Sequence, residues 1–230
     1  MKDHYNESWQ LYIHHTEGFN DDLDYYRNFC KGKKSLELFA GYGRLTNQLL
    51  RDGIDIETIE LSPEFAKLIA LPAEKNHIGD VTQVVLPQRF ERIFAAYNSF
   101  CLLTEDSQLH AFFRNMSKML AADGEISLSY YHPDFWSDAV STNMSIDGRS
   151  VTYEPSFDLT RRNSKRAVWR DKYIFDEKIL VHEYPVRIFE TDEDLLPFLQ
   201  AANLRIARKI RDFNNQIVSE PGWVDYLISF

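Results

Sequence analysis

Ser35-Leu36-Glu37-Leu38-Phe39-Ala40-Gly41-Tyr42-Gly43-Arg44-Leu45-Thr46 is the stretch whose reading decides the fold. Leu36, Leu38 and Phe39 read as the end of a short buried strand. Gly41 and Gly43 let the backbone turn sharply and approach a ligand with no Cβ in the way. The run from Arg44 through Thr46, Leu49 and Leu50 opens a helix whose first amides point back into the turn. Strand, glycine turn and helix start together predict a nucleotide-sized niche at the carboxyl end of a parallel sheet. The niche departs from the dinucleotide fingerprint, which asks for a third Gly or Ala where Thr46 stands. Glu37, at the strand end, suits a cationic ligand better than a pyrophosphate.

Outward from this stretch, the pattern repeats. Ile54, Ile56 and Ile59 predict a second strand ending in Glu60-Leu61-Ser62-Pro63, where Ser62 caps and Pro63 starts a helix over 63–71. A short strand near 76–79 ends at Gly79-Asp80, and Ile93 to Tyr97 is apolar throughout, as a central parallel strand should be. Leu109, Phe112, Phe113, Met116, Met119 and Leu120 recur at helical spacing over 105–120. Asp123-Gly124 turns the chain into a fifth strand, 125–131. Upstream, Asp21 and Asp22 cap a helix through Cys30, preceded by an aromatic segment with no clear period that lies over the domain. Alternation of this kind means a doubly wound α/β fold with right-handed crossovers.

Beyond residue 147 the periodicity changes. Segments 150–157, 167–175 and 179–189 predict an antiparallel meander, with the basic bend Arg161 to Arg166 between two of its strands. A helix over 191–202 follows, with Pro197 expected to kink it, then two closing strands at 204–210 and 223–229. The fold expected is a Rossmann-like sheet of seven strands with an inserted antiparallel β meander and an N-terminal lid. Residues 1–33 form the lid and first helix, 34–133 the cofactor-binding core, 147–190 the insertion, and 191–230 the last helix and closing strands of a single domain.

Composition sets outer bounds. A net charge of −9 argues against a nucleic-acid partner. Cys30 and Cys101 stand apart amid apolar residues, which predicts buried thiols rather than a disulfide or a metal site. Neither a secretion signal nor a run long enough to span a bilayer is visible, so a cytoplasmic protein is expected.

Several chemically useful side chains fall at successive strand ends. Glu60 can accept hydrogen bonds from ribose hydroxyls, as an acid does in dinucleotide sites. Asp80 can accept one from an adenine N6, with Val81 against the ring. Tyr97-Asn98-Ser99-Phe100 and Tyr130-Tyr131-His132-Pro133 follow the fourth and fifth strands. With an acid near the amine and amides on the carboxylate at Glu37–Gly43, the set points to S-adenosylmethionine, with S-adenosylhomocysteine as product.

These residues also carry a family resemblance. Leu36 to Arg44 resembles motif I of class I S-adenosylmethionine-dependent methyltransferases of the small-molecule type. Ile59-Glu60-Leu61-Ser62-Pro63 resembles their acidic motif II, and Gly79-Asp80-Val81 their adenine motif. Tyr97-Asn98-Ser99-Phe100 with Leu103-Thr104-Glu105, the stretch Ser129 to Asp134, and Leu11-Tyr12 followed by Asp21 to Tyr26 are similar to segments of bacterial sugar-amine and glycine-type N-methyltransferases. Phe39 stands where the family more often has the first glycine of motif I, Tyr42 replaces a common Thr, Ile13 an Asp, and His132 a usual Asn.

The resemblance implies methyl transfer to a small-molecule amine or hydroxyl, with N-methylation favoured, in a monomer or homodimer. Cofactor contacts then fall to Glu37, Phe39, Ala40, Gly41, Gly43 and Arg44, to Glu60 and Leu61, to Asp80 and Val81, and to Ala96 and Tyr97. Tyr12 is the position that covers the cofactor. Asn98, Phe100, Tyr131 and His132 face the acceptor, which lies between meander, lid and Tyr97. His132 reads either as a general base or as the residue ordering the His-Pro turn, and Tyr97 as its partner in orienting the acceptor or as packing. Arg170 and Arg187, on meander strands, are candidates for an anionic group of the acceptor. The competing classes are an NAD(P)-dependent oxidoreductase, which Glu37 and Thr46 count against, and a cofactor-binding regulatory module without turnover.

Overall fold

The computed structural model describes residues 9–136, 141–146, 148–176, 178–218 and 221–230. Two short helices, α1 (Trp9–Thr16) and α2 (Leu23–Cys30), precede the first strand. The start of the expected lid, residues 1–8, and Asp147 lie outside the described residues. The core then alternates β1 (Ser35–Leu38), α3 (Thr46–Arg51), β2 (Ile56–Glu60), α4 (Pro63–Ala66), β3 (Asn76–Ile78), β4 (Phe90–Ala95), α5 (Asp106–Met119) and β5 (Leu120–Tyr131). No helix separates β3 from β4.

β1 and β2 are buried along their whole length, as strands covered on both faces must be. Ser62 caps α4 by accepting the Phe65 amide, with Pro63 in the first turn. α4 ends at Ala66, sooner than the helix expected over 63–71, and tighter three-residue bonds at Leu68 and Ile69 continue the coil. The Asp123-Gly124 turn is also corrected. β5 runs through it, and the extra residues are absorbed as an irregularity between the Phe90–Leu120 and Arg92–Glu125 pairs.

β6 (Thr142–Ile146), β7 (Arg149–Asp158), β8 (Arg166–Phe175) and β9 (Lys178–Arg187) form a separate antiparallel sheet in sequential order. The alternation of the sequence announces the last three but not β6. After it come α6 (Leu196–Ala201), β10 (Arg205–Arg211), α7 (Asp212–Asn215) and β11 (Trp223–Ser229). Pro197 lies in the first turn of α6, where its missing N–H costs nothing, so the expected kink is absent.

The main sheet has the order β10-β11-β5-β4-β1-β2-β3. Pairing is parallel from β3 to β5, while β11 is antiparallel to β5 and to β10. The strand order reverses at β1, beside β4, and the loops after those two strands face each other there. Such a reversal opens a crevice at the carboxyl ends of the strands. Among the described residues, no helix is long and apolar enough to cross a membrane.

Candidate functional site

The loop after β1 is held by backbone and carboxylate bonds. Gly41 and Gly43 both take positive φ, +57° and +82°, and a Cβ on Gly41 would project into open space. Phe39 also has φ 56°, an unfavourable state for a bulky residue. Its ring is held against Phe112, 5.8 Å between centroids.

Glu60 at the tip of β2 reaches across to this loop. One carboxylate oxygen accepts the Gly41 amide and the other the Ser62 amide, each at 2.7 Å. Burial raises the Glu60 pKa, and the Ser62, Gly41 and Leu61 amides oppose the rise. Each oxygen retains a lone pair for a further donor. Leu61 next to it is 53% exposed, an apolar side chain beside the crevice with no core to cover it. Asp80 after β3 accepts both the amide and the hydroxyl of Thr82 on Oδ1, at 2.8 and 2.7 Å. Val81 is buried.

Glu37 lies at the end of β1, where the sequence places it. It is buried beneath the loop, and its carboxyl accepts the Thr46 hydroxyl. Burial pushes its pKa up to about 8, so it braces the loop from below. Thr46 thus occupies the position of the third dinucleotide glycine with a hydrogen bond of its own. Arg44 turns away from the niche into the N-terminal segment. It forms a bidentate pair with buried Asp22, at 2.7 and 2.6 Å, and donates to the Phe19 carbonyl. That clamp holds α2 and the segment before it onto the loop. α1 docks above: Thr16 meets the Tyr42 hydroxyl at 3.2 Å, and Tyr12 packs against Tyr42 and Phe65.

The tip of β4 is strained. Tyr97 and Asn98 are consecutive left-handed residues, φ 54° and 59°. Asn98 Oδ1 accepts the Tyr131 amide at 3.2 Å and the Cys101 thiol, which ties the tips of β4 and β5 together. The Tyr97 ring is sandwiched by Trp223, the Arg44 guanidinium and Phe19. The sequence gives no hint that Trp223 backs this wall, because it arrives from the far end of the chain.

Tyr97 and Asn98 share a cleft with Tyr12 and His15 of the lid and with Trp169, Asp171, Tyr184 and Val186 of the meander. Lid, meander and the β4 tip thus line one cleft, but several of the named residues lie elsewhere. Phe100 is fully buried against Phe189 and Tyr130. Tyr131 is buried, stacks near Trp223 and donates to the Phe135 carbonyl. His132 lines a separate cavity with Asp134, Glu190 and Arg211, and its Nδ1 accepts the Asp134 amide at 3.3 Å. Hence the structure does not group His132 with Tyr97.

The meander arginines also face away. Trp169, Asp171 and Tyr173 point inward, so period-two alternation sends Arg170 outward, where it pairs with Glu183. Arg187 is buried over Phe189 and Phe198 and pairs with Asp106 at the start of α5. The basic bend is committed to ion pairs. Arg162 bridges Glu190 and Asp134, Lys165 pairs with Asp194, and Arg166 with Glu105, so the bend fastens the inserted sheet to the core.

Comparison with solved structures fits this geometry. A methyltransferase from Clostridium acetobutylicum, described as dependent on S-adenosylmethionine, aligns with a TM-score of 0.71 at 16% identity, covering 98% of each chain. The sugar N-methyltransferase KedS8 from a Streptoalloteichus species aligns at 0.75 and 18% identity over 94% of this chain and 90% of its own. The fold is that of the class I methyltransferases. The amino pentose methyltransferase CalS10 from Micromonospora echinaspora, solved with S-adenosylmethionine bound, gives 0.68 at 16% identity over 96% and 91%. No family model and no curated protein sequence matches the chain. This methyltransferase fold is therefore recognised through the order of its strands and the crevice they form.

Proposed function

We propose that this protein is an S-adenosylmethionine-dependent methyltransferase acting on a small-molecule amine or hydroxyl, with an amine favoured. The observation that carries the reading is the Glu60 carboxylate, set by two backbone amides at the tip of β2 beside an open glycine loop. A buried acid between apolar Leu61 and the open face of Gly41 suits a ribose next to a flat base. In this reading Glu60 accepts the ribose hydroxyls, and Asp80 the adenine amino group, between Leu61 and Val81. The space over Gly41 takes the amino-acid tail, and Tyr12 covers it from the lid. Bound S-adenosylmethionine supplies an electrophilic methyl: the acceptor's lone pair forms the new bond to carbon, the C–S electron pair stays on sulfur, and S-adenosylhomocysteine is released.

The chain's own work is to position and to exclude water. Tyr97 and Asn98 form the floor between cofactor niche and acceptor cleft, and the aromatic lid and meander close over them. Orientation and desolvation of this kind provide much of the rate in a displacement that needs little proton chemistry. The names of KedS8 and CalS10 supply an amino sugar as a first acceptor class to try.

The test is a thermal melt with S-adenosylhomocysteine against NADH. A ligand of the native state stabilises it by mass action, by about 2.7 kcal/mol at a hundred times its Kd, and so raises the melting midpoint. The expected result is a shift with S-adenosylhomocysteine alone. A shift with NADH alone would transfer the site to the oxidoreductases. Binding without methyl consumption over an acceptor panel would favour a regulatory module.

A further inference from the structure

The inner face of the meander presents one carboxylate amid aromatic rings. Asp171 on β8 is 3% exposed. Its Oδ1 accepts the Tyr153 hydroxyl at 2.8 Å and the Trp169 indole N–H at 3.0 Å. Both donors are neutral, and both bonds fall on the same oxygen, which leaves Oδ2 for a donor from the cleft. Burying a carboxylate without a cationic partner is costly. The cost here is visible as a pKa raised to about 6 by burial, against the pull of those two bonds.

Among the described residues, no arginine or lysine partner of Asp171 is found. No Lys or Arg is among the described residues lining the cleft. His15 on the lid stacks on Tyr153 at 4.3 Å and meets the Tyr173 hydroxyl at 2.7 Å. Burial lowers its pKa to about 3, so it is neutral. His182, opposite Asp171 on β9, is buried with its ring edge-on to Tyr173. Trp169 and Tyr184, a cross-strand pair, form the remaining wall.

We propose that Asp171 is the acceptor-binding residue of this cleft, holding a primary or secondary amine on a compact, uncharged framework between Trp169, Tyr184 and Tyr97. The inference rests on the methyltransferase reading and deepens it to N-methylation. Oδ2 accepts an N–H of the amine, and the aromatic faces favour the cationic form on entry. The charge-assisted bond fixes the nitrogen, whose lone pair is directed at the methyl carbon once the extra proton has left to solvent. The product ammonium then loses its own proton to solvent. Among the described lining residues there is no arginine or lysine, which disfavours phosphate- or carboxylate-bearing acceptors at this point.

The experiment is a ligand-observed NMR titration of D-glucosamine, benzylamine and cyclohexylamine, each against its alcohol (D-glucose, benzyl alcohol, cyclohexanol). It is run with and without saturating S-adenosylhomocysteine on the wild type and on Asp171→Asn. The asparagine retains an oxygen for Tyr153 and Trp169, and S-adenosylhomocysteine affinity within twofold of wild type reports an intact fold. The expected result is that at least one amine binds tenfold or more tightly than its alcohol, and that Asp171→Asn removes this preference. Binding of no amine, equal binding of amine and alcohol, or a preference unchanged in Asp171→Asn overturns the proposal. A wild type that binds amines but not S-adenosylhomocysteine sinks the methyltransferase reading while leaving Asp171 in place.

Discussion

The two halves of the crevice are built by different means. On the parallel-sheet side the ligand-facing surface is largely backbone: two glycines at positive φ, a strained Tyr97-Asn98 tip, and an acid held by amides. On the meander side it is entirely side chains, projecting from one face of an antiparallel sheet. Glu60 and Asp171 make the contrast concrete. Both are buried carboxylates with raised pKa, but Glu60 is set by two main-chain N–H groups and Asp171 by a phenol and an indole. A backbone-built site is locked to its ligand by the fold, whereas a side-chain-built one can change its ligand by substitution. The first half therefore speaks for the cofactor and the second for the acceptor.

The largest expected effect comes from attacking the backbone-built half. Gly41→Val should place a β-branched side chain at φ +57° and into the open niche, abolishing S-adenosylhomocysteine binding by calorimetry. The meander should be untouched, so amine binding without cofactor persists. Retained cofactor affinity would break the comparison outright. Glu60→Ala comes next. Charged hydrogen bonds are worth ~1.5–3 kcal/mol each, so affinity should fall roughly 10- to 150-fold. An unchanged isotherm would remove β2 from the cofactor half.

A third test sharpens the role of Glu37. Its folded pKa of about 8 lies above the ordinary 4.5, so the folded state binds that proton more tightly. The stability it contributes is complete below about pH 4.5 and is lost as pH rises toward 8. Glu37→Gln stays neutral throughout. Its melting midpoint minus that of wild type should therefore grow more positive from pH 5 to pH 8.5, and a constant difference would mean that Glu37 is ionised when folded.

This contrast also explains what could be read from the residues alone. β1, its glycine loop and the tips carrying Glu60, Asp80 and Tyr97 were legible because a parallel strand must end in a turn. The chemistry at that turn is written in a few adjacent letters. The burial of Glu37 was not legible, because depth under the loop depends on Thr46 reaching back, a tertiary fact. On the meander, Arg170 and Asp171 are neighbours in sequence and lie on opposite faces, so an error of one residue in parity exchanges an outward ion pair for the inward acid. Trp169 and Tyr173, aromatic at matching parity around Asp171, were the available signal. Trp223 and the bridges of Arg162 and Arg166 carry no local mark, since their partners lie tens of residues away.

The position of β11 has a consequence for the order in which the molecule is completed. It is the latest of the described strands, yet it lies inside the sheet, between β5 and β10. On a translating ribosome β10 has no neighbour to pair with until residues 223–229 emerge, and β5 presents a bare edge for the same interval. Trp223 joins the wall behind Tyr97 in that final step. Nascent chains stalled before residue 223 should therefore expose these unpaired edges and bind chaperones.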